Sequence, residues 1–178
     1  MMNAITSKGK CDFAYTISGM LNRKCLEEFL KFLQNDVPDE CTRLHIQICS
    51  NGGHISIALA MGQLLRTLPC DVLTYNIANV DSAAIAVFAS GKQRICAPHG
   101  AFMFHPAAKE ISGAKTAAEL RALAEEVDSD AERLVAFLER CTATSKETWK
   151  QKMDSSVQLT AKSALDVKLA TEIGQTRL

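Results

Sequence analysis

Three short segments of the sequence carry residue types from which a hydrolytic site can be built. Ser82 begins a stretch of small apolar residues, His105 directly follows the apolar residues 101–104, and Gly52 and Gly53 form a glycine pair. A serine nucleophile needs a base within hydrogen-bond reach, a group that orients the base, and N–H donors for the oxyanion. These segments therefore permit acyl transfer through a serine, provided that the fold brings them together.

Each segment also has an ordinary structural interpretation. Ser82 can simply cap the helix that follows it, with Asp81 as a competing cap. A histidine at the end of a strand is commonly structural, and a glycine pair can be a plain turn because glycine adopts positive φ readily. Taken one at a time, the segments leave both interpretations open.

The hydrophobic pattern predicts the elements that must position these residues. It predicts helices at residues 21–34, 55–68, 82–89, 116–141, 146–153 and 161–170, strands at 44–49, 71–77, 93–96 and 101–104, and a loop at 51–53. Alternating strands and helices are typical of an α/β domain with a largely parallel sheet. In such sheets, sites form where loops leave the carboxyl ends of strands. We therefore expect residues 50–53, residues 78–82 and the segment ending at His105 to share one edge.

Composition narrows the class of protein. The chain has 178 residues, of which 47% are hydrophobic, and its 20 Lys and Arg residues balance 20 Asp and Glu residues. We expect residues 1–178 to form one domain. Because the charges balance, we expect no overall electrostatic field that would favour binding to nucleic acid or to an anionic membrane. No apolar run reaches the roughly 18 residues that a membrane span needs. Because the first residues lack the apolar stretch of a secretory signal, the expected location is cytoplasmic.

The seven cysteines and four histidines do not suggest a metal site. The cysteines are irregularly spaced and include no C-x-x-C pair, which argues against a disulfide framework and is typical of a reducing compartment. The histidines lack a ligand spacing such as H-x-x-x-H. We expect neither a metal nor an organic cofactor.

The order of these segments resembles the ClpP family, the proteolytic subunits of Clp proteases. The segment ICSNGG is similar to the family's I-N-S-P-G-G, the serine helix to A-S-M-G-A, and RICAPHGAFMFHP to R-x-C-L-P-N-x-x-x-M-I-H-Q-P. The spacing from Gly53 to Ser82 follows the family, and the interval from Ser82 to His105 is shorter by two residues. The resemblance covers roughly residues 12–175, including the last helices and the closing strand.

This resemblance implies a fold and most of a site. The fold would be the ClpP/crotonase α/β fold, with repeated β-β-α units, a projecting handle at about residues 110–141 and a flexible segment at residues 1–11. Ser82 would be the nucleophile and His105 its base, and the backbone N–H groups of Gly53 and Ala83 would form the oxyanion hole. Ala83 replaces the usual Met and Asn51 the usual Pro, but neither change removes a donor.

The catalytic acid is the point at which the sequence departs from the family. Aligning Leu159-Thr160-Ala161 with the family's L-S-A places Ser156 where the acid normally stands. Asp154 is the nearest carboxylate and resembles the M-D of shorter phage-type relatives, so we predict that Asp154 orients His105. Without an acid, a serine–histidine dyad would remain, and loss of a triad Asp can cost about 10⁴ in kcat.

The resemblance implies a serine endopeptidase that cleaves unfolded proteins or peptides through an acyl-enzyme inside an oligomeric chamber. The expected partners are polypeptide substrates, further copies of the chain in a heptameric ring or double ring, and an AAA+ unfoldase. Because the N-terminal segment is short, a stand-alone peptidase fits equally well. Two alternatives stay open: an inactive ClpP-like ring subunit, favoured by Ser156, and a crotonase-like acyl-CoA enzyme, which shares the fold but not the Ser/His pair.

Overall fold

The computed structural model describes residues 3–7 and 10–176, with side chains from residue 12 onward. Within these residues the strands are β1 (Asn3–Ser7), β2 (Lys10–Leu21), β3 (Arg43–Gly53), β4 (Asp71–Val80), β5 (Gln93–Cys96), β6 (Ala101–Met103), β7 (Gln158–Thr160) and β8 (Glu172–Ile173). The helices are α1 (Arg23–Asn35), α2 (Ile55–Thr67), α3 (Ala84–Ala89), α4 (Ala117–Thr142), α5 (Lys146–Asp154) and α6 (Ala161–Asp166).

The strands form a mostly parallel sheet. Its main order is β1-β2-β3-β4-β5-β8, in which β1 and β2 are antiparallel and the following pairs are parallel. Beyond the main path, β6 pairs in parallel with the end of β4 and antiparallel with β7. Parallel neighbours need a crossover connection, which α1, α2 and α3 supply between successive strands. The predicted α/β architecture is thus confirmed.

The main core lies between one face of the sheet and the helices. Helix α1 buries Phe29 and Phe32, while every residue of α3 is buried. Gly62 of α2 lets two helices approach closely, because a Cβ on Gly62 would lie 2.8 Å from the ring of Phe137 in α4. Close packing of this kind fixes the ends of α2 and α3, and both ends border the candidate site described below.

Two predicted boundaries are wrong at the edge where the loops meet. Residues 51–53 were expected to be a loop, but they continue β3: after a bulge, Gly52 and Gly53 pair with Met20 and Leu21 of β2. Strand β4 also runs three residues further than the predicted end at Ile77. The pairing partner of each extension lies far away in sequence, so the local pattern could not show it.

Other differences concern short elements. The helix predicted from residue 82 begins at Ala84, and the one predicted at residues 161–170 ends at Asp166. The segment expected to be flexible, residues 1–11, contains β1 and the start of β2, while residues 1, 2, 8 and 9 of that segment lie outside the described residues. The hydrophobic pattern did not predict β1, β2, β7 or β8. Strands of two to five residues, such as β1, β7 and β8, leave little periodicity to detect, whereas β2 was missed despite its 12 residues.

Helix α4 is the projecting handle helix. It begins with a capping box, in which Thr116 accepts from the N–H of Glu119 and the Glu119 carboxylate accepts from the N–H of Thr116. Its first half is largely exposed, whereas its second half buries Leu134, Val135, Phe137 and Leu138. The helix is therefore anchored at its C-terminal half. No helix in the described part of the chain is long and apolar enough to cross a membrane.

Candidate active site

Three segments meet at one edge of the sheet, and hydrogen bonds hold them together. The N–H of Asp81 donates to the carbonyl oxygen of Ser50 at 2.9 Å, which joins the turn after β4 to β3. The N–H of Ser82 donates to the carbonyl oxygen of Met103 at 2.8 Å, which joins the same turn to β6. The edge predicted from the strand–loop order is therefore present.

Ser82 has an uncommon backbone conformation. Its φ is 54°, in the left-handed region, and α3 begins only two residues later. A non-glycine residue held there costs about 1–3 kcal/mol and persists only where its surroundings enforce it. The hydrogen bonds on both sides of the turn supply that constraint. The side chain of Ser82 stays partly exposed, while the next residue, Ala83, is fully buried.

His105 follows β6 and is held in place by its neighbour Phe104. The N–H of Phe104 donates to the carbonyl oxygen of Val157 at 2.9 Å, and its ring stacks on Trp149 with centroids 5.6 Å apart. Trp149 is itself fixed by a hydrogen bond of 3.1 Å from its indole N–H to the Thr142 hydroxyl. Phe104 is thus anchored in the core, and it holds the next residue, the exposed His105, at the edge of the cleft.

Ser82, His105 and Gly53 line one cleft of about 540 Å³. The first two also border a smaller apolar pocket whose wall includes Ile55, Leu134, Leu138 and Met153. The structure thus brings together the predicted nucleophile, the predicted base and one of the two predicted oxyanion donors. Within the described residues, the His105 ring has one hydrogen-bond partner, since its Nδ1 lies 2.8 Å from the carbonyl oxygen of Pro106.

The structure does not bring Asp154 to His105. Asp154 ends α5, its carboxylate lies 3.5 Å from the Lys150 ammonium, and its side chain is 61% exposed. Across the described chain, no hydrogen bond joins His105 to Asp154 or to Ser156. The predicted role of Asp154 therefore stays a prediction from the sequence, without a contact that supports it.

The segment that contains Ser156 runs beside the strand that leads to His105. Strands β6 and β7 pair Phe102 with Leu159 and Met103 with Gln158, and the bond from Phe104 to Val157 extends the contact by one residue. Ser156 precedes this ladder and lies in the turn after α5, where its φ is 47° and its N–H donates to the carbonyl oxygen of Met153 at 3.2 Å.

Asp81 is a residue whose position the sequence interpretation missed. Its Oδ1 accepts a hydrogen bond of 3.0 Å from the N–H of Met103. Burial raises the pKa of the Asp81 carboxyl, and the bond from Met103 and the positive charge of His105 partly oppose that rise. Asp81 was considered only as a helix cap, although its position next to Ser82 could have drawn attention to it.

Comparison with known proteins identifies the family. The family model of the Clp protease matches residues 6–177. The chain belongs to the Clp protease family. It is 32% identical over 120 residues to ATP-dependent Clp protease proteolytic subunit 2 of Chlamydia trachomatis serovar D, a match that covers 66% of this chain and 57% of that relative. Subunit 2 of Corynebacterium glutamicum is 23% identical over 154 residues, covering 85% of this chain and 74% of the relative.

Solved structures of Clp proteolytic subunits share the fold. ClpP1 from Listeria monocytogenes superposes with a TM-score of 0.76 at 22% identity, and a mutant of it with a TM-score of 0.79 at 22% identity. Both comparisons cover 92% of each chain. The predicted ClpP-like fold is confirmed. Because the crotonase-like acyl-CoA alternative shares this fold, it is the match of the family model to residues 6–177 that favours the Clp protease family.

Proposed function

We propose that this chain is a serine peptidase of the Clp type that hydrolyses peptide bonds in unfolded proteins or peptides. Ser82 is the nucleophile, His105 the general base, and the N–H groups of Gly53 and Ala83 receive the oxyanion. The observation that carries the proposal is the shared cleft of Ser82 and His105, whose segments are joined by the hydrogen bond from Ser82 to Met103. The names of the curated relatives point to the same activity.

The chemistry follows from the residue types. His105 takes the proton from the Ser82 hydroxyl as its Oγ attacks the carbonyl carbon, and then gives that proton to the leaving amine. Water hydrolyses the resulting acyl-enzyme by the same route. Backbone donors at Gly53 and Ala83 stabilise the negative oxygen of each tetrahedral intermediate, and loss of one such donor typically costs about 10²–10³ in rate.

The Ser82 hydroxyl and the imidazole must approach each other before the proton passes, because no hydrogen bond joins them within the described residues. The Nδ1 of His105 lies 2.8 Å from the carbonyl oxygen of Pro106, so an N–H at Nδ1 would donate there and leave Nε2 to accept the Ser82 proton. Catalytic hydrogen bonds commonly tighten only when substrate binds. The exposed Asp154 remains the candidate acid from the sequence, and it would have to leave Lys150 to reach the base.

One observation favours a second candidate function. Ser156, which the sequence alignment puts at the position of the triad acid, carries no charge with which to stabilise an imidazolium. A ring subunit that has lost its catalytic acid would show this arrangement. In that case the chain would act as an inactive structural partner of active subunits.

Assembly into a heptameric ring or double ring is part of the proposal. Leu120, in the exposed first half of α4, and Ile111, just before that helix, are 44% and 51% exposed. Apolar side chains on a projecting helix are stabilised when a second copy covers them. The relatives are described as ATP-dependent proteolytic subunits, which supports an AAA+ unfoldase as a further partner.

Peptide hydrolysis by the assembled protein tests the proposal. Fluorogenic peptides and an unfolded protein substrate should be cleaved by the wild type, and cleavage should fall at least about 10³-fold in Ser82→Ala and His105→Ala. Ser18→Ala removes an exposed hydroxyl from β2 and is the matched control, which should retain wild-type rates. Absence of cleavage by the assembled wild type would support the inactive subunit instead.

A further inference from the structure

The Asp81-Ser82 dipeptide is fastened to Met103 by two reciprocal hydrogen bonds. The N–H of Met103 donates to Asp81 Oδ1 at 3.0 Å, and the carbonyl oxygen of Met103 accepts from the N–H of Ser82 at 2.8 Å. One of these bonds needs only backbone atoms, whereas the other needs a side chain with an acceptor oxygen at position 81. The sequence therefore supplies a specific link between the turn that carries Ser82 and the strand that leads to His105.

This link lies close to both reacting groups. Met103 ends β6, and His105 follows two residues later, after the anchored Phe104. A displacement of about 1 Å between nucleophile and base can cost about 10² in rate. Loss of the Asp81 side chain would leave the turn held to this strand by the Ser82–Met103 bond alone.

The Asp81 carboxyl is partly buried, and burial raises its pKa, whereas the bond from the Met103 N–H and the charge of His105 oppose that rise. The carboxylates that line the cleft are differently placed: Glu126 is paired with Lys109, Asp130 is paired with Arg133, and Glu110 is exposed. Asp154 is paired with Lys150. Among these carboxylates, Asp81 is the one that joins the segment of Ser82 to the segment of His105.

We propose that Asp81 is a positioning residue for the Ser82–His105 pair, whose side-chain acceptor fixes the turn of the nucleophile to the strand that leads to the base. The inference rests on the proposed peptidase function. Within the described residues, no hydrogen bond joins Asp81 to His105 or to the Ser82 hydroxyl, so Asp81 acts through the turn and not on the reacting atoms.

The rate at which a fluorophosphonate probe acylates Ser82 tests this role. Asp81→Ala removes the acceptor for the Met103 N–H, and we expect acylation to slow about 10²-fold or more. Asp81→Asn keeps an acceptor oxygen at this position, so it should retain most of the wild-type rate. Rescue by the acceptor alone separates positioning through this bond from a general effect of changing the residue.

Two further variants allow the result to be interpreted. Asp39→Ala removes an exposed carboxylate from the loop before β3 and is the control, which should be acylated at the wild-type rate. Asp154→Asn removes the carboxylate that the sequence favoured as the acid, and we expect it to be acylated faster than Asp81→Ala. Circular dichroism and particle mass would verify that each variant is folded and assembled.

The results that would overturn the inference differ from those that would refute the function. A wild-type rate in Asp81→Ala, or a rate in Asp81→Asn as low as that of Asp81→Ala, would eliminate positioning by this bond while leaving the peptidase intact. A larger loss in Asp154→Asn than in Asp81→Ala would also contradict it. No acylation of the assembled wild type would refute the proposed function and this role together.

Discussion

A Cβ atom built on Gly52 would lie 2.7 Å from the Cβ of Ser82 and 2.8 Å from the carbonyl oxygen of Asp81. Real Cβ atoms do not approach other atoms so closely, and the φ of Gly52 is +94°, where L side chains are strained. The end of β3 therefore packs directly against the nucleophile's turn. This packing requires glycine at position 52.

We predict that Gly52→Ala inactivates the site. The methyl group must push the turn of Ser82 away from β3, and displacement of the nucleophile should lower the acylation rate by about 10² or more. We expect a loss of unfolding free energy of about 1–3 kcal/mol as well, because a tightly packed region must shift. Probe labelling and urea unfolding measure the two effects.

Gly113→Ala is the matched control for that prediction. Gly113 also has a positive φ, +71°, but nothing lies within 4 Å of its added Cβ. This variant should label at the wild-type rate and should show only the cost of backbone strain. Equal labelling of Gly52→Ala and Gly113→Ala would contradict the close packing at the nucleophile.

Asp81→Asn should reveal the cost of burying the Asp81 charge. Burial is the largest influence on Asp81 and raises its pKa, so the folded chain holds that proton more tightly than the unfolded chain does. The stability linked to this proton is present below the ordinary Asp pKa of about 3.9 and is lost as the pH rises through the folded-state pKa. At pH 7.5 the asparagine variant should therefore be at least as stable as the wild type, and it should keep most of the acylation rate because its amide oxygen still accepts from the Met103 N–H.

Urea unfolding at pH 7.5, 5.5 and 4.5 measures this dependence. Any advantage of Asp81→Asn should shrink toward the lowest pH, whereas Asp39→Asn, at an exposed position, should show little change. A variant that is clearly less stable than the wild type at pH 7.5 would show that the charge of Asp81 stabilises the fold.

Leu120→Glu should disrupt the pairing of rings. Leu120 is 44% exposed on the projecting half of α4, so a charge there would cost little within one protomer but would oppose burial in a contact between copies. We expect the mass of the assembled particle to fall by half, as measured by native mass spectrometry. Leu165→Glu, at a position 38% exposed on α6, is the control and should leave the mass unchanged. An unchanged mass in Leu120→Glu would contradict the role of this helix.

The order of the main elements could be predicted because hydrophobic residues recur in their sequences at the spacing of a helix or of a strand. Helices α2 and α4 and the buried centre of β4 were expected within a few residues of their observed ends. The extension of β3 through Gly53 could not be foreseen, since it depends on a bulged pairing with β2 more than thirty residues earlier. Long-range pairing of this kind leaves no local signature.

The sequence motifs predicted which segments meet at the cleft. They could not predict which carboxylate points toward His105, because that depends on side-chain direction. Ser82, His105 and Gly53 belong to recognisable blocks, and all three line the cleft. The acid was harder to assign because a carboxylate acts only if it points at the base. Asp154 turns to Lys150, whereas Asp81 turns to Met103, and neither direction can be inferred from residue type or spacing.

The most direct test of the account is to locate the covalent adduct after the assembled protein has reacted with a fluorophosphonate. Tandem mass spectrometry of the digested protein should find one modified residue, Ser82, and the modification should be absent from His105→Ala at the same exposure time. An adduct on a different serine, or an unmodified protein after prolonged reaction, would contradict the assignment of Ser82 as the nucleophile.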